Sequence, residues 1–452
     1  MDDLVARDAR VLWHPATHFE DLARLPVTPI VAARGAWLEA EGGRRILDGI
    51  GSWWTSIHGH GHPHIVAAIR EQVGRLDHVM FAGFTHAPAV ELAEALLEAA
   101  PRPRADQGPD YGRVFFADCG SAAIEVALKL AFQSHRQRGH EERTRFAALA
   151  NSYHGETLGA LSVSGSDAYR STFAPLLVEP IYLPVPAHPD HEPQQLTSEL
   201  GADTPQAEAA VATLREHAHE LAALVLEPLV QCAGRMQMMG VGYYRRIVEE
   251  AQRLGILVIA DEIAVGFGRT GRMFASEHAG VCPDLLCLSK GLSGGVLPLS
   301  AVLVRAGFED AFRGAPARSF LHSHTFTANP VTCAAGRASL EVFEQEDLLA
   351  RLPARVEAMA QRRRAVAQRC PAIRHHRQAG MIAAFEVAPS PEHPGPTDGR
   401  LGLALREAAM RRDVLLRPLH DTIYWMPALS IEDAELDRLA EVTVEVVQEV
   451  LG

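Results

Sequence analysis

The sequence has no run of about 18 apolar residues, so no segment reads as a membrane-spanning helix. Its opening, MDDLVARDARVLWHP, has no basic stretch leading into an apolar one and does not read as a secretory leader. No two of its six cysteines (Cys119, Cys232, Cys282, Cys287, Cys333 and Cys370) form a C-x-x-C pair. Scattered through a long chain, they fit buried thiols in a reducing cytoplasm better than a disulfide framework. Positive charge is in deficit, with 43 Lys and Arg against 56 Asp and Glu and a net charge of −13. That balance argues against a polyanion such as nucleic acid as the main partner. There is no internal repeat and no low-complexity tract.

What remains is a chain of 452 residues, 47% hydrophobic and 22% charged, enough to bury a large core in two or more lobes. Residues 1–60 read as an N-terminal arm and part of a small domain. HPHIVAAIREQVGRLDHV then reads as an amphipathic helix with Ile65, Ile69, Val73 and Leu76 on one face. Short apolar strands next alternate with helices: RVFFADCG, RFAALANSYHG, LAALVLEPLV, ILVIADE, DLLCLSKG and SAVLVR are the strands. The alternation predicts an α/β domain over 61–330 with a mostly parallel sheet. From 331 to 452 helices precede strand-like MIAAFEV and DTIYWMP, which predicts a smaller α+β domain.

Chemistry concentrates at strand ends. Asp261 closes an apolar strand, where ligands of open α/β sheets bind. Lys290 comes after a second strand 29 residues later, so an acid and a lysine on neighbouring strand ends face one ligand. Pyridoxal phosphate chemistry needs that pair, a lysine for the Schiff base and a carboxylate for the pyridinium nitrogen. The bland alternative is a surface lysine and a capping aspartate. Gly120 and Ser121 lie between strand RVFFA and a helix, where free N–H groups cradle a phosphate or Ser121 simply caps the helix. Tyr153 at a strand end suits stacking on an aromatic ring, or burial for packing alone. Gly266–Gly271 matches G-x-G-x-x-G and is the rival signal, for a nicotinamide-dependent oxidoreductase; the segment GRMFASEHAG that continues it is a poor long helix. His58, His60, His62 and His64 alternate, but intervening Gly and Pro break a strand and no acid or Cys cluster joins them, so no metal is expected.

Taken in order, these features resemble the class III, fold type I, pyridoxal phosphate aminotransferases over nearly the whole chain. Within that family the chain is similar to the biotin-biosynthesis branch. The tags are WHPAT, SWWTSIHGHGHP, HVMFAGFTHAPAVEL, DCGSAAIEVALKLA, NSYHGETLGALSV, DEIAVGFGRTGRMFA, LSKGLSGG, HTFTANP and LLRPLHDTIYWMP. The resemblance implies a ping-pong transamination giving 7,8-diaminononanoate from 8-amino-7-oxononanoate. S-adenosylmethionine is the implied amino donor, with lysine as the alternative. It makes Lys290 the Schiff-base lysine and proton carrier and Asp261 the partner of the ring nitrogen. Gly120 and Ser121 become phosphate ligands, and Tyr153 the stacking ring. Thr325 would reach the phosphate of the neighbouring subunit in a homodimer with shared active sites. Arg417 takes the keto substrate's carboxylate, Trp53 and Trp54 line its apolar channel, Tyr424 offers the donor an aromatic face, and Glu227 lies near the site. The chain departs from the family at Ala16, where a Tyr is common, and at Ser323–His324, where one subgroup has Gly-Pro.

Overall fold

The computed structural model describes residues 4–451 except 106, 107, 189, 198, 392 and 393. Its centre is a seven-stranded sheet of β1 (Tyr111–Ala117), β2 (Arg145–Leu149), β3 (Ile181–Leu183), β4 (Leu221–Leu226), β5 (Leu257–Asp261), β6 (Leu285–Leu288) and β7 (Ser300–Arg305). Their spatial order is β1-β7-β6-β5-β4-β2-β3. Neighbours are parallel from β6 to β3, while β7 runs antiparallel to both β6 and β1. Every residue of β4, β6 and β7 is buried, as expected of strands covered on both faces. Each fully buried Leu or Val there contributes about 1.5–3 kcal/mol relative to exposure. The helix Gly120–Gln137 packs on this sheet through a face of small and branched residues, Ala123, Ile124, Ala127 and Ala131 among them.

The strand directions place the functional segments. β1, β2, β4, β5 and β6 share one direction, so Asp118–Ser121, Asn151–Gly155, Glu227, Asp261 and Lys290 all emerge at the same sheet edge.

Besides a two-stranded antiparallel ladder of Val230–Gln231 with Gln237–Met238, two larger side sheets accompany this layer. Ile30–Arg34, Trp37–Ala40 and Arg45–Asp48 form an antiparallel run, to which Val414–Leu415 adds in parallel. Sequence-distant N- and C-terminal segments thereby share one sheet. The other is the antiparallel set Ile373–Ala379, Ile382–Val387 and Thr422–Trp425. The long helices Pro330–Gln345, Leu348–Arg369 and Asp433–Leu451 accompany them.

The helix expected to run through Leu76 is shorter, Pro63–Val73. Gly74 ends it, its N–H bonding to Glu71 O, and Gln72 turns inward while Val73 is exposed. The apolar spacing therefore extends past the helix by less than one turn. Gly266–Gly271 is succeeded by the single 3-10 turn Ala275–His278, so no α-helix begins directly after that loop. The loop instead holds Arg269, whose buried guanidinium donates to Trp54 O and Ser56 O at 3.2 Å each and also to Pro427 O. The four alternating histidines take four separate partners. His58 meets Ser339, His60 meets Asp48, His62 meets Glu346 and His64 meets Glu341.

Candidate active site

A cavity of 450 Å³ opens at the shared sheet edge, a size suited to a cofactor. Gly120, Ser121, Tyr153, Glu227, Asp261 and Lys290 all line it, together with Trp54. Residues expected from the sequence to meet, spread over 170 positions from Gly120 to Lys290, are therefore neighbours.

Asp261 is 4% exposed. Its Oδ2 lies 2.7 Å from His154 Nδ1, and its Oδ1 accepts the Ile263 N–H at 3.1 Å. Both oxygens are thus held in place. His154 is a site residue that motif reading misses. Its only signal is its place in Tyr153-His154-Gly155, since its partner lies 107 positions away.

Lys290 lies just beyond β6 with a φ of +43°, a left-handed conformation that costs a non-glycine residue of order 1–3 kcal/mol and concentrates at functional sites. Its Nζ lies 5.0 Å from the centre of the Trp54 ring. Burial pushes the Lys290 ammonium below its usual pKa, opposed by the negative charge of Asp261. Glu227, fully enclosed, accepts N–H bonds from Tyr153 at 3.1 Å and Cys232 at 3.0 Å. Burial still pushes its carboxyl up to about 7.

The Gly120–Ser121 turn opens an 18-residue helix whose first N–H groups receive no side-chain cap from Cys119. Ser121 Oγ accepts the Glu156 N–H at 3.1 Å. Gly155, at φ +129°, passes so close that a Cβ there would lie 2.0 Å from Ser121 Oγ. These features form a cradle of backbone donors that only glycine leaves open. With a lysine, a buried carboxylate and a Tyr ring beside it, the cavity fits a phosphorylated pyridine aldehyde. Tyr153 also packs on Tyr169, ring centres 4.7 Å apart, and donates to Glu156 at 3.0 Å.

Of the remaining expected residues, only Trp54 lines this cavity; Trp53 and Arg417 line a neighbouring one, and Tyr424 is 1% exposed and not among the lining residues. Ser52, Trp53 and Trp54 are consecutive left-handed residues, and the tight turn they make sends the two tryptophans to different sides. Trp54 is buried, with Tyr424 edge-on at 6.1 Å, whereas Trp53 is half exposed beneath the Arg417 guanidinium at 4.6 Å. Arg417 also donates to Ala16 O at 2.9 Å. Thr325 is exposed and does not line the cavity of its own chain. His324 Nδ1 lies 2.9 Å from Asp118 Oδ2, at the rim.

The sequence profile described as aminotransferase class-III matches residues 22–447. An adenosylmethionine-8-amino-7-oxononanoate aminotransferase of Nitratidesulfovibrio vulgaris is 42% identical, over 96% of this chain and 79% of its own. That of Geobacter sulfurreducens is 39% identical over 96% and 95%. Among solved structures, the enzyme of that name from Methanocaldococcus jannaschii superposes with a TM-score of 0.90 at 28% identity, covering 99% of both chains. A pyridoxal phosphate-bound amine transaminase from an uncultivated Pseudomonas species gives 0.84 at 29%, covering 98% of this chain and 99% of its own. With a strand-end Lys290, a buried Asp261 and a glycine-opened helix terminus in one cavity, the chain belongs to the class-III aminotransferase family.

Proposed function

We propose that this chain is a pyridoxal 5'-phosphate-dependent aminotransferase of biotin biosynthesis, transferring an amino group from S-adenosylmethionine to 8-amino-7-oxononanoate to give 7,8-diaminononanoate. The carrying observation is the cavity that joins Lys290, Asp261, Tyr153 and the Gly120–Ser121 helix terminus, in a chain so similar to enzymes of that name.

Bound there, the cofactor supplies an electron-accepting ring that stabilises negative charge on the donor's Cα. Lys290 would hold it covalently, Gly120 and Ser121 its phosphate, Tyr153 its face and Asp261 its ring nitrogen. Lys290 Nζ, with its pKa lowered by burial, releases and takes a proton near neutral pH more readily than an exposed lysine. His154 keeps Asp261 Oδ2 oriented, so the carboxyl stays aimed into the cavity. Arg417 would take the acid end of the keto substrate, the fork of a guanidinium matching a carboxylate. Trp53 and Trp54 would flank its aliphatic chain, and Tyr424 would add an aromatic face for the donor.

A homodimer with shared sites belongs to this reading, with Thr325 reaching the partner's phosphate. Its support is a set of exposed apolar side chains, Met80, Phe84, Leu321 and Phe326, on two segments tied together by the Asn329 Nδ2 bond to Asp77 O. The division into 61–330 and a small domain built from both ends of the chain, and a cytoplasmic location, are part of the same proposal. Among the described residues no helix is long and apolar enough to cross a membrane.

The test is purified protein with 8-amino-7-oxononanoate and either S-adenosylmethionine or lysine, reading 7,8-diaminononanoate by mass. Product with S-adenosylmethionine is expected. Product with lysine alone changes the donor and leaves the transamination standing; no product with any amine rejects the substrate.

A further inference from the structure

Beyond Trp53 lies a second cavity, of 380 Å³, between the N-terminal arm and the helix Leu401–Arg411. Its walls are mostly apolar, Leu22, Leu25, Val27 and Leu403 among them. Two guanidinium side chains line it, Arg406 and Arg417, together with Asp21 and with His14, which pairs with Asp8.

Arg406 differs from the other arginines around it. Arg400 pairs with Asp21, Arg411 with Glu449, Arg412 with Glu445, and Arg24 of the arm with Glu407 and Asp398. Among the described residues Arg406 has neither an ion pair nor a hydrogen bond, and its Nε is shut away from water without a partner. The Asp21 carboxylate lines the same cavity, but its Oδ2 already accepts Arg400 at 2.6 Å; Glu407, next to Arg406 in sequence, accepts Arg24 at 2.8 Å. Arg417 likewise has no acidic partner among the described residues; it spends one N–H on Ala16 O and lies over Trp53. Burial pushes the Arg406 pKa down, and the like charge of Arg417 adds to this against the opposing charge of Asp21, yet a guanidinium stays charged. Two guanidiniums share this space with one carboxylate, Asp21, which is already bonded to Arg400, so positive charge is in excess and a ligand anion would offset it. A carboxylate accepts at both oxygens and can take two forks at once, and an aliphatic chain suits the walls.

We infer that Arg406 is a second carboxylate-binding residue, which with Arg417 seats the acid end of the keto substrate at the mouth of the arm cavity. The inference rests on the reading of Arg417 as that carboxylate's partner and adds to it a residue on a different element. The neighbouring Trp53 and Trp54 then span from this seat to Lys290, which lies over Trp54.

The experiment compares KM for 8-amino-7-oxononanoate and for its uncharged carboxamide in wild type, Arg406→Gln, Arg406→Lys and Arg417→Gln. Arg406→Gln is expected to raise KM for the acid about ten-fold, the loss of one charge-assisted contact, with KM for the carboxamide within about two-fold of wild type. Arg406→Lys keeps the charge without the fork and raises KM for the acid about three-fold. It stands in should the Gln variant fail to fold. An unchanged KM for the acid, or equal rises for acid and carboxamide, overturns the inference. If Arg417→Gln raises KM for the acid while Arg406→Gln does not, only Arg406 is misassigned. If neither does, the acid end binds elsewhere and the reading of Arg417 falls as well.

Discussion

His154 Nδ1 and Asp261 Oδ2 lie 2.7 Å apart, both side chains nearly closed to solvent, at the floor of the cavity that Lys290 overlooks. The contact fixes a carboxylate that has one other donor, the Ile263 N–H.

Replacing Asp261 with Asn removes the charge and keeps the shape. An amide cannot hold a proton on a pyridine nitrogen as a carboxylate does, so kcat should fall about a hundred-fold or more in each half-reaction while cofactor remains bound. Single-turnover kinetics with each substrate checks this. Unchanged rates in both halves would make Asp261 structural.

Lys290→Ala removes the amine that moves the proton. Steady turnover should drop below about a thousandth of wild type, with phosphate contacts at Gly120 and Ser121 still allowing weak cofactor binding. Turnover above that level would move the chemistry to another residue.

Gly155→Ala puts a methyl 2.0 Å from Ser121 Oγ at a φ of +129°. The backbone must withdraw from the helix terminus. Cofactor affinity is expected to fall about ten-fold or more, together with a lower Tm. Equilibrium titration with pyridoxal phosphate measures the first, and wild-type affinity would show that the cradle lies elsewhere.

Glu227 gives a pH signature. Its carboxyl, raised to about 7 by burial, favours the neutral form in the folded protein. Its contribution to stability is fully present below the usual glutamate range and is lost as pH rises through about 7. At about 1.4 kcal/mol per pKa unit this amounts to about 3 kcal/mol. Wild type should therefore lose stability relative to Glu227→Gln between about pH 4.5 and 8, read as Tm of the cofactor-free protein across that range. A constant difference would contradict the buried-acid assignment.

Much of this site is legible in the sequence, because strand ends are. Apolar runs closing on Asp261 and Lys290, and a Gly-Ser turn before a helix, are local patterns that the parallel strands bring to one edge. Strand direction is not local: SAVLVR reads as a strand, but only its pairing shows that it runs against its neighbours. The strand Ile373–Ala379 is hidden by its polar composition, with Arg377 buried and pairing with Glu386 on the next strand. The His154–Asp261 contact and the unpaired charge of Arg406 depend on tertiary neighbours that no spacing reveals. Trp53 and Trp54 are adjacent in sequence, yet three left-handed residues send them into different cavities.

The most direct measurement is chemical. Protein loaded with pyridoxal phosphate is reduced with borohydride, digested and mapped by mass. The account predicts a pyridoxyl mass increment on the peptide containing Lys290, and its loss when S-adenosylmethionine is added before reduction. An increment on another lysine, or none at all in protein that nonetheless makes 7,8-diaminononanoate, would contradict it.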